Sequence, residues 1–443
     1  MPRPASTPSA AAEAEAVPLV VASVGGGGDG VAALPGGGGT AHIPYTLPGE
    51  RVLARGREVQ ALLDASPDRV VPPCAHFPPC GGCALQHWAA GPYLAWKRSR
   101  LAEALSRAGF RDAEAAVAPT VACPPYTRRR ADLAVRRDGS GGVALGFHAR
   151  GDDRRVVDMR ECHVLDPRLA ALAAGPALRD ALRRLRGLRR EGSAVLTLLD
   201  TGPDLLVRTD APLAPEDRAA LAAFAEAHGI PRIAWALRDG PAEPAAARGP
   251  ATLRLGGVEV APPPAAFLQA TPEGEAAIVA AVLAGLPDRL PAKARVADLY
   301  AGLGTLSFPL AARGARVEAF EGDAAAVAAL SAAAGRAGAK VNARRRDLAR
   351  QPLAPAELAP YAAVVLDPPY AGAAEQCALL ARSAVPRVVV VSCNPAALGR
   401  DLAPFARSGA WRVLAATPVD QFVWSPHLES VVVLARGAGA ARA

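Results

Sequence analysis

Lysine is almost missing from this chain. It stands only at Lys97, Lys293 and Lys340, yet the formal charge is +8, so the basic excess is nearly all arginine. Such an excess admits nucleic acid as a partner, although in an alanine-flooded sequence it reflects a GC-rich coding bias as well. Long apolar runs are missing too. No stretch reaches the ~18 uncharged apolar residues of a membrane helix, so no membrane partner is expected. The opening MPRPASTPSAAAEAEA carries acids where a secretory leader has its apolar core, and the expected location is cytoplasmic. What remains is a globular composition, 51% hydrophobic and 21% charged, in a chain too long for one core. Among seven cysteines, Cys74, Cys80 and Cys83 crowd together. In a reducing compartment that crowding points to metal or redox chemistry before disulfides.

The chain divides by pattern. Residues 1–14 read as a disordered tail. Residues 15–69 read as short strands broken by Gly-rich turns, as in a small β-barrel. Residues 70–264 hold the cysteine group, a helix beginning near Tyr93, and a mixture of strands and Ala/Leu/Arg helices, closed by Pro262-Pro263-Pro264. Residues 265–443 alternate strands (RVADLY, RVEAFEG, VNARRRD, AAVVLD, RVVVVSC) with helices such as DAAAVAALSAAAGRAGA. That alternation predicts a parallel, doubly wound α/β sheet.

Asp298-Leu-Tyr-Ala-Gly302-Leu-Gly304-Thr305 is a strand running into a glycine turn and a helix. The next strand ends in Glu321, suited to accepting hydrogen bonds from ribose hydroxyls, and the third ends in Asp347, placed to face an adenine. No third glycine completes a dinucleotide fingerprint. The order Asp-x-x-x-Gly-x-Gly, then Glu, then Asp resembles class I S-adenosylmethionine-dependent methyltransferases. Asp367-Pro368-Pro369-Tyr370 ends the fourth strand, where the prolines free the loop carbonyls from any ladder. This loop also resembles the motif of enzymes that methylate adenine N6, which supplies one alternative function.

Four valines then run into Ser392-Cys393-Asn394-Pro395, with the proline ending the strand. The thiol therefore lies at the carboxyl end of a central strand, where open α/β sheets bind ligands. An exocyclic amine needs no thiol to be methylated, but carbon 5 of a pyrimidine does. A thiolate adding to carbon 6 makes carbon 5 nucleophilic, and a base must afterwards remove the carbon 5 proton. Glu429 precedes a valine run, and its spacing from His427 predicts that both face the same way.

SCNPAALGRD, DQFVWSPHLESVVVL, AFLQATPEGE and DLYAGLGTLSFPLA together resemble the RNA 5-methyluridine methyltransferase family, with its RlmD and TrmA branches. The resemblance implies Cys393 as nucleophile and Glu429 as proton-abstracting base. It also implies Gln269, Tyr300, Gly302, Thr305, Glu321, Asp347 and Asp367 around S-adenosylmethionine. Thr305, Tyr370 and Val423-Trp424 depart from the common family pattern, and these departures touch the substrate site rather than the chemistry.

Cys74-x5-Cys80-x2-Cys83, with Cys162 as fourth ligand, has a spacing that suits zinc or iron–sulfur equally. Cys123 and Cys377 have no such pattern. The family resemblance implies a 4Fe–4S cluster, structural or RNA-positioning, and the RlmD-type branch that carries it acts on ribosomal rather than transfer RNA. The N-terminal stretch resembles a TRAM domain, an OB-like RNA-binding module. Its lone aromatic, Tyr45, leaves backbone and shape contacts to dominate. Arg128–Arg130 and Arg344–Arg346 are candidate phosphate contacts. The expected whole is a monomer with a Rossmann-like methyltransferase domain, a central α+β iron–sulfur domain and an OB-like barrel. It would flip a uridine out of its stack. A non-catalytic RNA-binding iron–sulfur protein is the remaining alternative.

Overall fold

A computed structural model describes residues 15–287, 290 and 293–437; the tail expected at 1–14 lies outside them. The C-terminal sheet has eight strands. In spatial order they are Val341–Arg345, Arg316–Glu321, Arg295–Leu299, Ala363–Leu366, Arg387–Ser392, Glu429–Arg436, Trp411–Asp420 and Val121–Ala122. The first five run parallel, and Glu429–Arg436 enters antiparallel between its two neighbours. Each expected strand is present; the central valine-rich runs Ala363–Leu366 and Arg387–Ser392 are buried, as in a sheet covered on both faces. Strand order reverses direction between Arg295–Leu299 and Ala363–Leu366, which opens the ligand crevice of a doubly wound fold.

Three other sheets lie among the described residues, the smallest being the two-stranded pair Leu253–Leu255 and Val258–Val260. Residues 17–64 form five antiparallel strands over a small core of Leu19, Val21, Ala32, Ile43, Val52 and Ala54. A seven-stranded mixed sheet spans Arg130–Ala247, with the helices Pro167–Ala174, Pro176–Arg184 and Pro215–Ala227 packed on its core.

Residues 90–122 cross over. The helix Ala90–Ala108, ended by Gly109 in the left-handed region, packs on the helix Pro395–Ser408. Leu101, Leu105, Ala108, Ala113 and Val117 share one core with the C-terminal strands, and Val121–Ala122 extends the sheet. A segment grouped by pattern with the central region thus closes one edge of the C-terminal sheet. Its helix periodicity announces an apolar face but not which partner buries it.

Truncating fully buried Leu105 therefore tests the C-terminal core from a residue far from it in sequence. Leu105→Ala should cost about 2–5 kcal/mol in urea unfolding of the full chain. A cost under about 1 kcal/mol, the range of surface substitutions, would separate this helix from that core.

Candidate functional site

Cys393 follows the buried strand Arg387–Ser392 and precedes the helix Pro395–Ser408. Asn394 fixes that junction, because its Oδ1 accepts from Ala396 N at 3.0 Å and its Nδ2 donates to the Tyr370 carbonyl at 3.0 Å. The half-buried thiol opens on a cleft of about 530 Å³. Burial above all, then the Glu429 and Asp367 carboxylates, push its pKa up to about 12.

Glu429 is buried at the head of a central strand, not on an edge. His427 lies before the strand starts and is exposed, so the expected shared face does not form. Alternation needs extended backbone, and the loop reaches only to Leu428.

The Glu429 carboxylate ends a buried hydrogen-bond chain. Gln421 Nε2 donates to Glu429 Oε2 at 2.6 Å and to Gln269 Oε1 at 2.8 Å. Gln269 Nε2 donates to Asp367 Oδ2 at 2.9 Å. Ala270 N–H donates to Gln421 Oε1 at 2.9 Å, which turns the Gln421 amide nitrogen toward Glu429. Glu429 Oε1 is buried, and among the described residues it has no hydrogen-bond partner. Burial, with the nearby Asp367 charge, holds the Glu429 carboxyl well above the ordinary range, and burial pushes Asp367 up to about 7. The pair resists carrying two negative charges, and a cation between them would relieve both.

Gly274 makes this chain geometrically feasible. A Cβ there would fall 2.6 Å from Gln421 Cβ, so only glycine lets the helix Pro272–Gly285 approach so closely. Gln421 and Gly274 were given no role from sequence. Their signal is spatial, since Gln421 and Gln269 are 152 residues apart.

The expected cofactor residues gather at the carboxyl ends of the parallel strands. Tyr300 and Gly302, both with positive φ, follow Arg295–Leu299. Glu321 accepts from Gly302 N at 2.9 Å and from Asp323 N at 2.8 Å. Each oxygen keeps a lone pair, so Glu321 can still accept from two hydroxyls. Space beside Gly302 is open, as a close-approaching ligand needs. Thr305 is half-buried in the same turn, Asp367 follows Ala363–Leu366, and Asp347 is exposed after Val341–Arg345. Asp298 is buried, accepts from Ser307 Oγ at 2.5 Å, and has its pKa pushed up to about 7 by burial. This donor and acceptor set fits a nucleoside-bearing cation. None of these residues lines the Cys393 cleft.

The other cleft wall carries Cys74, Cys80, Cys83 and Cys162. Burial raises all four thiol pKa values, Cys83 to about 12, and their charges oppose one another. Coordination to a cation would reverse that cost, so the four fit a metal ion or cluster. The Cys80–Gly82 turn lies against the strand Val143–Ala149, with Gly81 N donating to His148 O at 2.9 Å. His76 and Glu161 went unnoticed in the sequence, yet their ligand atoms and Cys74 Sγ lie within 4.8 Å of one another. At the rim stand Phe267 and Tyr370, 71% and 58% exposed, with Phe422 and His427 edge-on to one another. Exposed aromatic faces of this kind stack flat bases.

Three comparisons bear on this geometry. Residues 291–437 match the family model described as tRNA (Uracil-5-)-methyltransferase. The chain is 44% identical over 431 residues to a Brucella suis protein described as an uncharacterized RNA methyltransferase, covering 95% of this chain and 98% of that one. It is 38% identical over 421 residues to a 23S rRNA (uracil(1939)-C(5))-methyltransferase of Halomonas elongata, covering 90% and 85%. The solved tRNA (uracil-54, C5)-methyltransferase of Pyrococcus abyssi, in complex with S-adenosyl-L-homocysteine, superimposes with a TM-score of 0.70 at 21% identity. It covers 94% of this chain and 100% of its own. At that identity the likeness concerns the fold.

The raised thiol predicts slow alkylation. A thiolate forms only as pH climbs toward the thiol's own pKa, so Cys393 carboxamidomethylation, followed by peptide mass spectrometry, should keep rising with pH beyond 9. Glu429→Gln removes the opposing charge that Glu429 gains as it ionises and should speed alkylation at the alkaline end of the profile, about tenfold per unit of pKa lost. A plateau below pH 8 would contradict the electrostatics described.

Proposed function

The chain belongs to the RNA (uracil-5-)-methyltransferase family, and on that premise we propose how it methylates carbon 5 of a uridine and in which RNA. Cys393 Sγ adds to carbon 6 of the flipped base, and the ring electrons move toward the carbonyl at carbon 4. S-adenosylmethionine supplies a methyl group activated on a sulfonium. Carbon 5 takes that methyl, Glu429 takes the carbon 5 proton, the 5,6 double bond re-forms, and the thiolate leaves. The observation that carries this reading is the bare, buried Glu429 Oε1, held open by Gln421 and felt electrostatically at Cys393. A buried carboxylate oxygen without a donor is costly, and it is what a proton acceptor requires.

Other residues hold the reactants. Tyr300, Gly302, Thr305, Glu321 and Asp347 form the cofactor crevice, and Asp367 faces the sulfonium charge. Gln269, which links Asp367 to Gln421, stands where the two reactants meet. Cys74, Cys80, Cys83 and Cys162 hold a 4Fe–4S cluster that shapes the wall opposite Cys393. Methyl transfer moves no net electrons, so the cluster has a structural or RNA-positioning role. The N-terminal sheet serves as the OB-like TRAM module, and residues 70–264 as the cluster-bearing domain. Identity of 38% to a ribosomal RNA enzyme across nearly the whole chain favours ribosomal over transfer RNA as substrate. The enzyme is read as a cytoplasmic monomer.

The test uses anaerobically purified protein, its iron content measured, with S-adenosylmethionine and ribosomal or transfer RNA transcripts. Nucleoside mass spectrometry should find 5-methyluridine in the ribosomal transcript. Cys393→Ala should abolish it, and Glu429→Gln should slow turnover by about 10²–10⁴ and leave a covalent RNA–protein adduct. An active Cys393→Ala enzyme would sink the mechanism, and product only in transfer RNA would overturn the substrate.

A further inference from the structure

Of the three lysines, Lys293 and Lys340 are exposed. Lys97 is fully buried on the helix Ala90–Ala108. Its ammonium has three hydrogens and three acceptors: the Asp420 carboxylate, Phe422 O at 3.2 Å and His427 O at 2.7 Å. The Tyr93 ring lies 5.0 Å from it. A compact ammonium can serve three converging acceptors, whereas the planar arginine fork cannot.

These acceptors belong to one loop. Asp420 ends the strand Trp411–Asp420, and Glu429 begins its return partner, paired with Val419. The carbonyls of Phe422 and His427 mark the two ends of the connection between them. One cation therefore closes that loop, one residue from Gln421 and two from Glu429. At its tip Trp424 has a φ of +57°, a region that is costly for a non-glycine residue. The Trp424 carbonyl accepts from Ala84 N at 2.9 Å and from Leu85 N at 3.0 Å, directly after Cys83. A strained loop of this kind keeps its shape only while it is tethered.

We propose that Lys97 is a positioning residue for proton abstraction, fixing the loop that holds Gln421 and Glu429 in register with the bound base. The proposal rests on the reading of Glu429 as the base. Loss of the clamp should leave thiol addition and methyl transfer possible while slowing release, since a misplacement of about 1 Å can cost about 10²-fold.

Removing Lys97 alone would leave Asp420 buried and unpaired, so the test pairs Lys97→Met with Asp420→Leu. Replacing both charges with apolar groups commonly preserves stability but does not restore the carbonyl tether. The double variant should unfold near the wild-type urea midpoint. Its turnover should fall about tenfold or more, with the covalent RNA adduct accumulating on denaturing gels as in Glu429→Gln. Turnover close to wild type, or lost turnover without adduct, would overturn the role. If that variant does not fold, Asp420→Asn, which keeps an acceptor oxygen, takes its place. A raised ratio of adduct to turnover supports the clamp, and an unchanged ratio overturns it. Glu429→Gln is the control: if it traps no adduct, the mechanism itself fails, and if it does while the Lys97 variants do not, only the clamp fails.

Discussion

A carboxylate buried on a central strand with one oxygen unpaired is the constraint from which the rest of this site follows. Glu429 sits on a strand between Arg387–Ser392 and Trp411–Asp420, where ionisation is opposed by burial and by Asp367. Such a group is tolerated only if its other oxygen is held and its neighbours are fixed. Gln421 supplies the hold, Gln269 ties Gln421 to Asp367, and Gly274 leaves room for the glutamine to lie there. Burial, and after it the same two carboxylates, raise the Cys393 thiol. Pairing the two carboxylates with a cation would release both the base and the nucleophile.

This arrangement also accounts for how the parts of the chain depend on one another. The segment 90–122 closes the edge of the catalytic sheet and brings Lys97 to the loop ahead of Glu429. The residues after Cys83 bind the tip of that loop. The four cysteines, the nucleophile and residues of that tethered loop therefore line one cleft. Aromatic side chains at its rim offer flat surfaces to bases displaced from a stack.

Much of the C-terminal sheet was legible in sequence because its strands are short, valine-rich and separated by helical periodicity. Cys393 and Glu429 were legible because each ends or begins such a run, and the glycine turn at Gly302 announces a close approach. Four features were not. The helix Ala90–Ala108 shows its apolar face but not its distant partner. His427 stands two residues before Glu429, yet it falls on irregular backbone. Gln421 and Lys97 take their meaning from contacts to residues 152 and 323 positions away, which no local pattern encodes. His76 and Glu161 approach Cys74 for the same reason.

The central claim is that each methyl gained at carbon 5 is followed by loss of the carbon 5 proton at this site, and isotope release measures it directly. Ribosomal RNA transcript carrying tritium at carbon 5 of uridine would be incubated with the enzyme and S-adenosylmethionine. One tritium released to water for every methyl group incorporated, with both lost in Cys393→Ala, is the predicted result. Methyl incorporation without tritium release would place the transfer at another atom and contradict the roles given to Cys393 and Glu429.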